Sequence, residues 1–166
     1  MKTRARGRLR IRPARFGEAV AVAGVMRAAV RGQRGRYPAA LLAAWGSLPT
    51  LYHLWAMTAG GERYLVAERG GRLLGYAAWR GGEVTALFVR PGAAGRGLGS
   101  RLLARVEAAA RAAGARRLTV VAARGAVPFY SVHGWRAGRP VGSPLPGGGA
   151  LPAVRMWKLA GPPVRP

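Results

Sequence analysis

The chain has 166 residues, half of them hydrophobic, with 26 glycines, 12 prolines and no cysteine. That length fits one compact domain burying about 70% of its unfolded surface, while disulfide frameworks and thiolate metal sites are excluded and His53 and His133 are too few for zinc. The 28 Lys or Arg residues face five glutamates and no aspartate, a net charge of +23 that attracts anions in general.

The charge has two readings. One is a nucleic-acid-binding surface; the other is compositional, since Ala, Gly, Arg and Pro dominate, asparagine is absent, and only Lys2 and Lys158 are lysines. The apolar runs fall short of the roughly 18 residues of a membrane span, and the Arg-rich start lacks the apolar stretch of a secretory signal. A soluble, cytoplasmic protein is the expectation.

Residues 1–8 read as a basic tail, and Leu9 and Ile11 then alternate with arginines ahead of Pro13, which predicts a first strand. Ala14 to Val30 carries a helical apolar stripe through Phe16, Val20, Ala23 and Val30. Two shorter helices are predicted, from Pro38 to Trp45 and from Leu51 to Ala59 after Pro49. Tyr64 to Glu68, Gly70-Gly71 and Leu73 to Trp79 form a hairpin pattern, followed across Gly81-Gly82 by a strand from Glu83 to Val89.

That strand runs into Pro91-Gly92-Ala93-Ala94-Gly95-Arg96-Gly97-Leu98-Gly99-Ser100, where a helix begins with apolar residues at Leu102, Leu103, Val106, Ala110 and Ala113. Glycines let the backbone turn at positive φ and approach a ligand closely. The unpaired amides of a helix N-terminus, with the helix dipole, favour an anion by roughly 0.3–1 kcal/mol. The motif lacks the Lys-Ser/Thr ending of a P-loop and the early position of a dinucleotide fingerprint.

Arg117 to Ala122 is a β-branched run read as a buried strand and Val127 to Val132 a short helix, with two strands to follow. Between them residues 139–152, with Pro140, Pro144, Pro146, Pro152 and three consecutive glycines, read as a mobile loop, and 161–166 as a flexible tail. The element order predicts an α+β sandwich, a mixed, mostly antiparallel sheet with helices on both faces.

Three segments resemble the GNAT superfamily of acyl-CoA N-acyltransferases. Leu87, Val89, Pro91, Gly97 and Gly99 match its L-x-V-x-P strand end and Gln/Arg-x-x-Gly-x-Gly/Ala turn. Ala126-Val127-Pro128-Phe129-Tyr130 through Gly134-Trp135 is similar to its A-x-x-F-Y-x-x-x-G-F block, and Met156-Trp157-Lys158-Leu159 to its closing strand. Ala94 and Ala123 depart from it, standing where Gln or Arg and Asn are usual.

The resemblance covers roughly residues 9 to 159 and implies an acetyl-CoA-dependent N-acetyltransferase without a metal. Its acceptor would be a primary amine of a small molecule or protein, attacking directly. It implies that Leu87, Phe88 and Val89 pair with the pantetheine arm, that Ala94, Gly95, Arg96, Gly97, Leu98, Gly99 and Ser100 cradle the pyrophosphate, and that Phe129 joins them. Arg96 or Arg101 can add charge. Tyr130 matches the acid that protonates the leaving thiolate, and Glu83, at the head of the fourth strand, is the candidate base, with a water chain as the alternative. Tyr37, Tyr52 and Trp79 are candidate acceptor contacts, and His53 reads as a surface residue, with a base as the alternative. The rival reading is a non-catalytic basic module of the same fold that binds nucleic acid or the ribosome. Either a monomer or a homodimer is compatible with the pattern.

Overall fold

A computed structural model describes residues 7–161. Seven strands make one sheet: β1 (Arg10–Pro13), β2 (Arg63–Arg69), β3 (Arg72–Arg80), β4 (Glu83–Val89), β5 (Arg117–Ala123), β6 (Arg136–Pro144) and β7 (Ala150–Leu159). Their spatial order is β1-β2-β3-β4-β5-β7-β6, so the last strand inserts between β5 and the edge strand β6. Every pairing is antiparallel except β4 with β5.

Two cores follow from the alternation of side chains across the sheet. On one face α1 (Ala19–Arg31), α2 (Ala39–Gly46) and α3 (Thr50–Thr58) bury Val22, Val25, Met26, Leu42 and Ala56 against Val66, Tyr76 and Ala78. On the other, α4 (Leu98–Ala112) and the short α5 (Val127–Val132) bury Leu102, Leu103, Val106 and Tyr130 against Leu65, Trp79, Leu118 and Met156. Each such fully buried aliphatic side chain contributes roughly 1.5–3 kcal/mol. Glu107 ties this second layer together: its carboxylate accepts from Trp135 Nε1 at 2.8 Å and from Lys158 Nζ at 2.9 Å.

The predicted mobile loop at 139–152 is corrected. Residues up to Pro144 continue strand β6 and those from Ala150 begin β7, leaving only the turn between them. Proline is tolerated there because β6 is an edge strand, where a missing N–H need not break the sheet. The register nevertheless slips between Ala137 and Pro140. The proposed tails fall mostly outside the described residues, at 1–6 and 162–166. Among the described residues no helix is long and apolar enough to cross a membrane.

Candidate active site

The site originates in a defect of the sheet. Strands β4 and β5 pair in parallel only at Glu83–Thr119 and Val84–Val120, then separate. On its other side β4 stays paired with β3, but the register shifts so that Thr85 is an extra residue between Val84 and Ala86. Such a bulge flips the alternation. Before it Val84 faces α4; after it Leu87 and Val89 face α4 while Ala86 and Phe88 face the α1 layer.

Beyond the bulge one edge of β4 is open. Arg90 N–H donates to Leu74 O across the β3 side, so by strand alternation the N–H and C=O groups of Leu87 and Val89 point the other way, into the gap. That gap is a cleft of about 250 Å³, lined by Thr85 to Val89 on one side, by Val120 to Ala123 on the other, and by Tyr130 and Trp45.

At its end the chain forms a glycine turn of free amides, a candidate anion cradle. A 3₁₀ turn at Pro91–Ala93 precedes it, and Gly95 and Gly97 take φ of +72° and +76°, the left-handed region that glycine enters without strain. Gly97 is the N-cap of α4. The N–H groups from Gly95 to Ser100 have no acceptor among the described residues, and the first helical bond of this segment is Arg101 N–H to Gly97 O. Six adjacent donors, at a helix N-terminus with Arg96 and Arg101 exposed beside them, suit a diphosphate. Ala94 is the exception, since its N–H is spent on Arg90 O and Pro91 O inside the turn. It shapes the cradle and donates nothing to it. Phe129 closes one side, its ring 3.4 Å from where a Cβ at Gly99 would stand.

Tyr130 sits on α5 at the cleft wall, 5% exposed, with its ring edge-on to Phe129 and Trp135. Burial pushes its phenol above the ordinary tyrosine value, so it is a proton donor throughout the neutral range. Its hydroxyl has no hydrogen-bond partner among the described protein groups.

Glu83 stands at the head of β4 as expected, outside the cleft lining. It lies where β4 and β5 are still paired, opposite Arg80 and Thr119. A second carboxylate, that of Glu62, does not line the cleft either but touches its wall through Thr85. Glu62 is 8% exposed at the α3–β2 junction and accepts a 3.0 Å hydrogen bond from Thr85 Oγ1, the bulged residue in the cleft wall. No motif marks it.

The acceptor-side aromatics separate into three fates. Tyr37 spans the α1–α2 connection, and its hydroxyl accepts from Gly125 N–H at 2.8 Å. Tyr52 is 38% exposed on α3, its phenol raised by burial and then by Glu62. Trp79 is corrected to a core residue: alternation turns it toward α4, on the sheet face away from α1 to α3, where it is 6% exposed. His53 is also corrected. It is 1% exposed, ringed by Tyr52, Tyr64 and Tyr76, and burial followed by the charge of Arg27 lowers its pKa to about 4. Its Nε2 and the Tyr76 hydroxyl are buried without a partner.

A sequence model described as an acetyltransferase (GNAT) domain matches residues 51–143, which holds the bulge, the cradle and α5. The chain belongs to the GNAT acetyltransferase family. Among solved structures, it is similar to a GCN5-related N-acetyltransferase from Rhodopseudomonas palustris at a TM-score of 0.83 and 27% identity, covering 90% of this chain and 94% of that one. YncA of Salmonella typhimurium, a putative acetyltransferase solved with its cofactor acetyl-CoA, shares the fold at a TM-score of 0.69 and 22% identity over 96% and 98% of the two chains. A blasticidin-S acetyltransferase of Streptomyces morookaense is 48% identical over 58 residues, a stretch that spans 35% of this chain and 40% of that protein. Among the described residues no group of metal-ligating side chains comes together.

Proposed function

We infer that this GNAT protein transfers the acetyl group of acetyl-CoA to a primary amine of a small molecule. The observation that carries the reading is the continuity of the six free amides from Gly95 to Ser100 with the open edge of β4. A diphosphate on the amides places an extended arm along Leu87 and Val89, and the sheet edge supplies its donors and acceptors. When bound, acetyl-CoA supplies an activated thioester. The partial match to a blasticidin-S acetyltransferase favours a small-molecule acceptor over a protein terminus.

The chain's own residues then have two proton tasks. An aliphatic amine with pKa near 10.4 is only about a thousandth neutral at pH 7.5, which costs about 4 kcal/mol. Thr85 Oγ1 already donates to Glu62; as that hydroxyl proton moves to the carboxylate, the Thr85 oxygen takes one from the ammonium. Glu62 is therefore the base, acting through the Thr85 hydroxyl. Tyr130, on the opposite wall, holds the proton the departing thiolate needs. With no cysteine in the chain the amine attacks the thioester directly.

Calorimetric titration of acetyl-CoA at physiological salt, beside ATP and pyrophosphate, tests the cofactor half. One-to-one micromolar binding that ATP does not reproduce is the expected result. Binding no better than ATP overturns it and leaves general anion attraction, the basic binding module. An acceptor screen that includes blasticidin S, read by release of free CoA thiol, tests the other half.

A further inference from the structure

A cavity larger than the cleft lies outside it. Between α1 and α2 is a crevice of about 630 Å³ with Val30, Leu42 and Tyr37 in its apolar lining and Arg27, Arg31 and Arg34 around it. That volume falls within the range of small-ligand pockets. Arg27 and Arg31 are one helical turn apart, and like charges at that spacing repel. None of the ion pairs among the described residues involves any of the three arginines: Arg12 holds Glu18 and Glu68, and Lys158 and Arg111 hold Glu107. The other two glutamates, Glu62 and Glu83, do not line the crevice.

We propose that the α1–α2 crevice binds the anionic end, carboxylate or phosphate, of an apolar-bodied acceptor. Three arginines lining a crevice with apolar residues match such a group in charge and in surface. The crevice and the cleft adjoin. Tyr37 lines the first and Trp45 the second, and their rings meet edge-to-face at 5.9 Å. A molecule anchored among the arginines presents its far end to the cleft past a single aromatic pair. The Tyr37 hydroxyl, bonded to Gly125 N–H at the end of β5, holds that partition to the cleft wall. The acceptor part of this proposal rests on the acetyl-transfer reading; the anion site itself does not.

The experiment has two readouts. The first is calorimetric titration of para-acetamidomethylbenzoate, and of its neutral carboxamide, into the protein alone and saturated with CoA, at about 0.15 M salt where loose surface attraction is screened. The carboxylate is expected to bind one-to-one and at least about tenfold more tightly than the carboxamide, with the preference gone in an Arg27→Gln, Arg31→Gln, Arg34→Gln variant. Equal binding of the two compounds, or a preference that survives in the variant, overturns the site. The second readout is CoA release with para-aminomethylbenzoate against its carboxamide, amines of closely similar basicity. A kcat/KM ratio of about ten or more, carried by KM and falling to about one in the variant, is expected. A ratio of one in the native protein overturns the acceptor assignment while the site stands. Failure to acetylate either amine counts against the transfer reading, and the titration still decides the site.

Discussion

Thr85 Oγ1 donates to Glu62 Oε2 at 3.0 Å, which links the bulged residue of the cleft wall to a carboxylate that is itself 8% exposed. In the proposed mechanism this hydrogen bond is what couples the cleft wall to a proton acceptor. The bulge matters for the wall itself: without the extra residue, Leu87 and Val89 would not share the face of Val84.

Glu62→Gln is therefore expected to lower kcat by about 10²-fold, the usual contribution of a positioned general base, while acetyl-CoA affinity stays within about threefold. Glu83→Gln is expected to leave kcat within about threefold of the native value, because Glu83 lies at the closed, paired end of the strands. The two variants, assayed side by side from pH 6 to 10, separate the assignments. A large loss in the Glu83 variant with none in the Glu62 variant reverses them.

Tyr130→Phe removes only a hydroxyl. Because the ring is 5% exposed and packed against Phe129 and Trp135, the variant should fold with stability within about 1 kcal/mol of native. Turnover should drop by roughly 10- to 100-fold with KM for acetyl-CoA little changed. Burial raises the phenol, so the native rate should show no alkaline loss from this group below its ordinary pKa of about 10. Unaltered turnover in the folded variant takes Tyr130 out of the chemistry.

Gly97→Ala tests the cradle. At φ +76° a Cβ is strained by about 1 kcal/mol, and relief by rotating the N-cap would turn the first amides of α4 away from their common focus. Acetyl-CoA binding should weaken by about tenfold, equivalent to roughly 1.4 kcal/mol, while thermal unfolding shifts by only a few degrees. Unchanged calorimetric affinity would show that the diphosphate does not rely on this turn.

Much of this architecture was legible in the residues because local signals and tertiary fate agreed. Glu83 to Val89 and the helix start at Leu98 appear where the glycines and the apolar period place them. Strand β6 was hidden because Pro140 and Pro144 are strand breakers that an edge position forgives. Trp79 was misread because a run of small and aromatic residues on β3 does not say which face each one takes; that depends on pairing with β2 and β4. Glu62 and His53 were out of reach for a related reason. Their burial is decided by how α3 folds back onto the sheet beneath Tyr64 and Tyr76, a contact no periodicity encodes.

His53 makes a stability prediction that can be signed. In the fold its pKa is lowered to about 4 from the ordinary 6.5 by burial and then by Arg27. As pH falls below about 6.5 the unfolded chain takes up a proton that the folded one refuses, so stability declines until about pH 4, where both states are protonated. At roughly 1.4 kcal/mol per pH unit this window is worth about 3 kcal/mol. Glu18 acts lower down: hydrogen-bonded to Arg12, its carboxyl is held at about 2 instead of 4.5. Its contribution is present above pH 4.5 and is lost as pH falls toward 2. Urea midpoints measured from pH 7 to 3 should therefore fall in two stages in the native protein. His53→Gln should flatten the upper stage and keep the lower one, whereas Glu18→Gln should do the reverse. An upper stage that persists in the His53 variant would assign that acid sensitivity to another group.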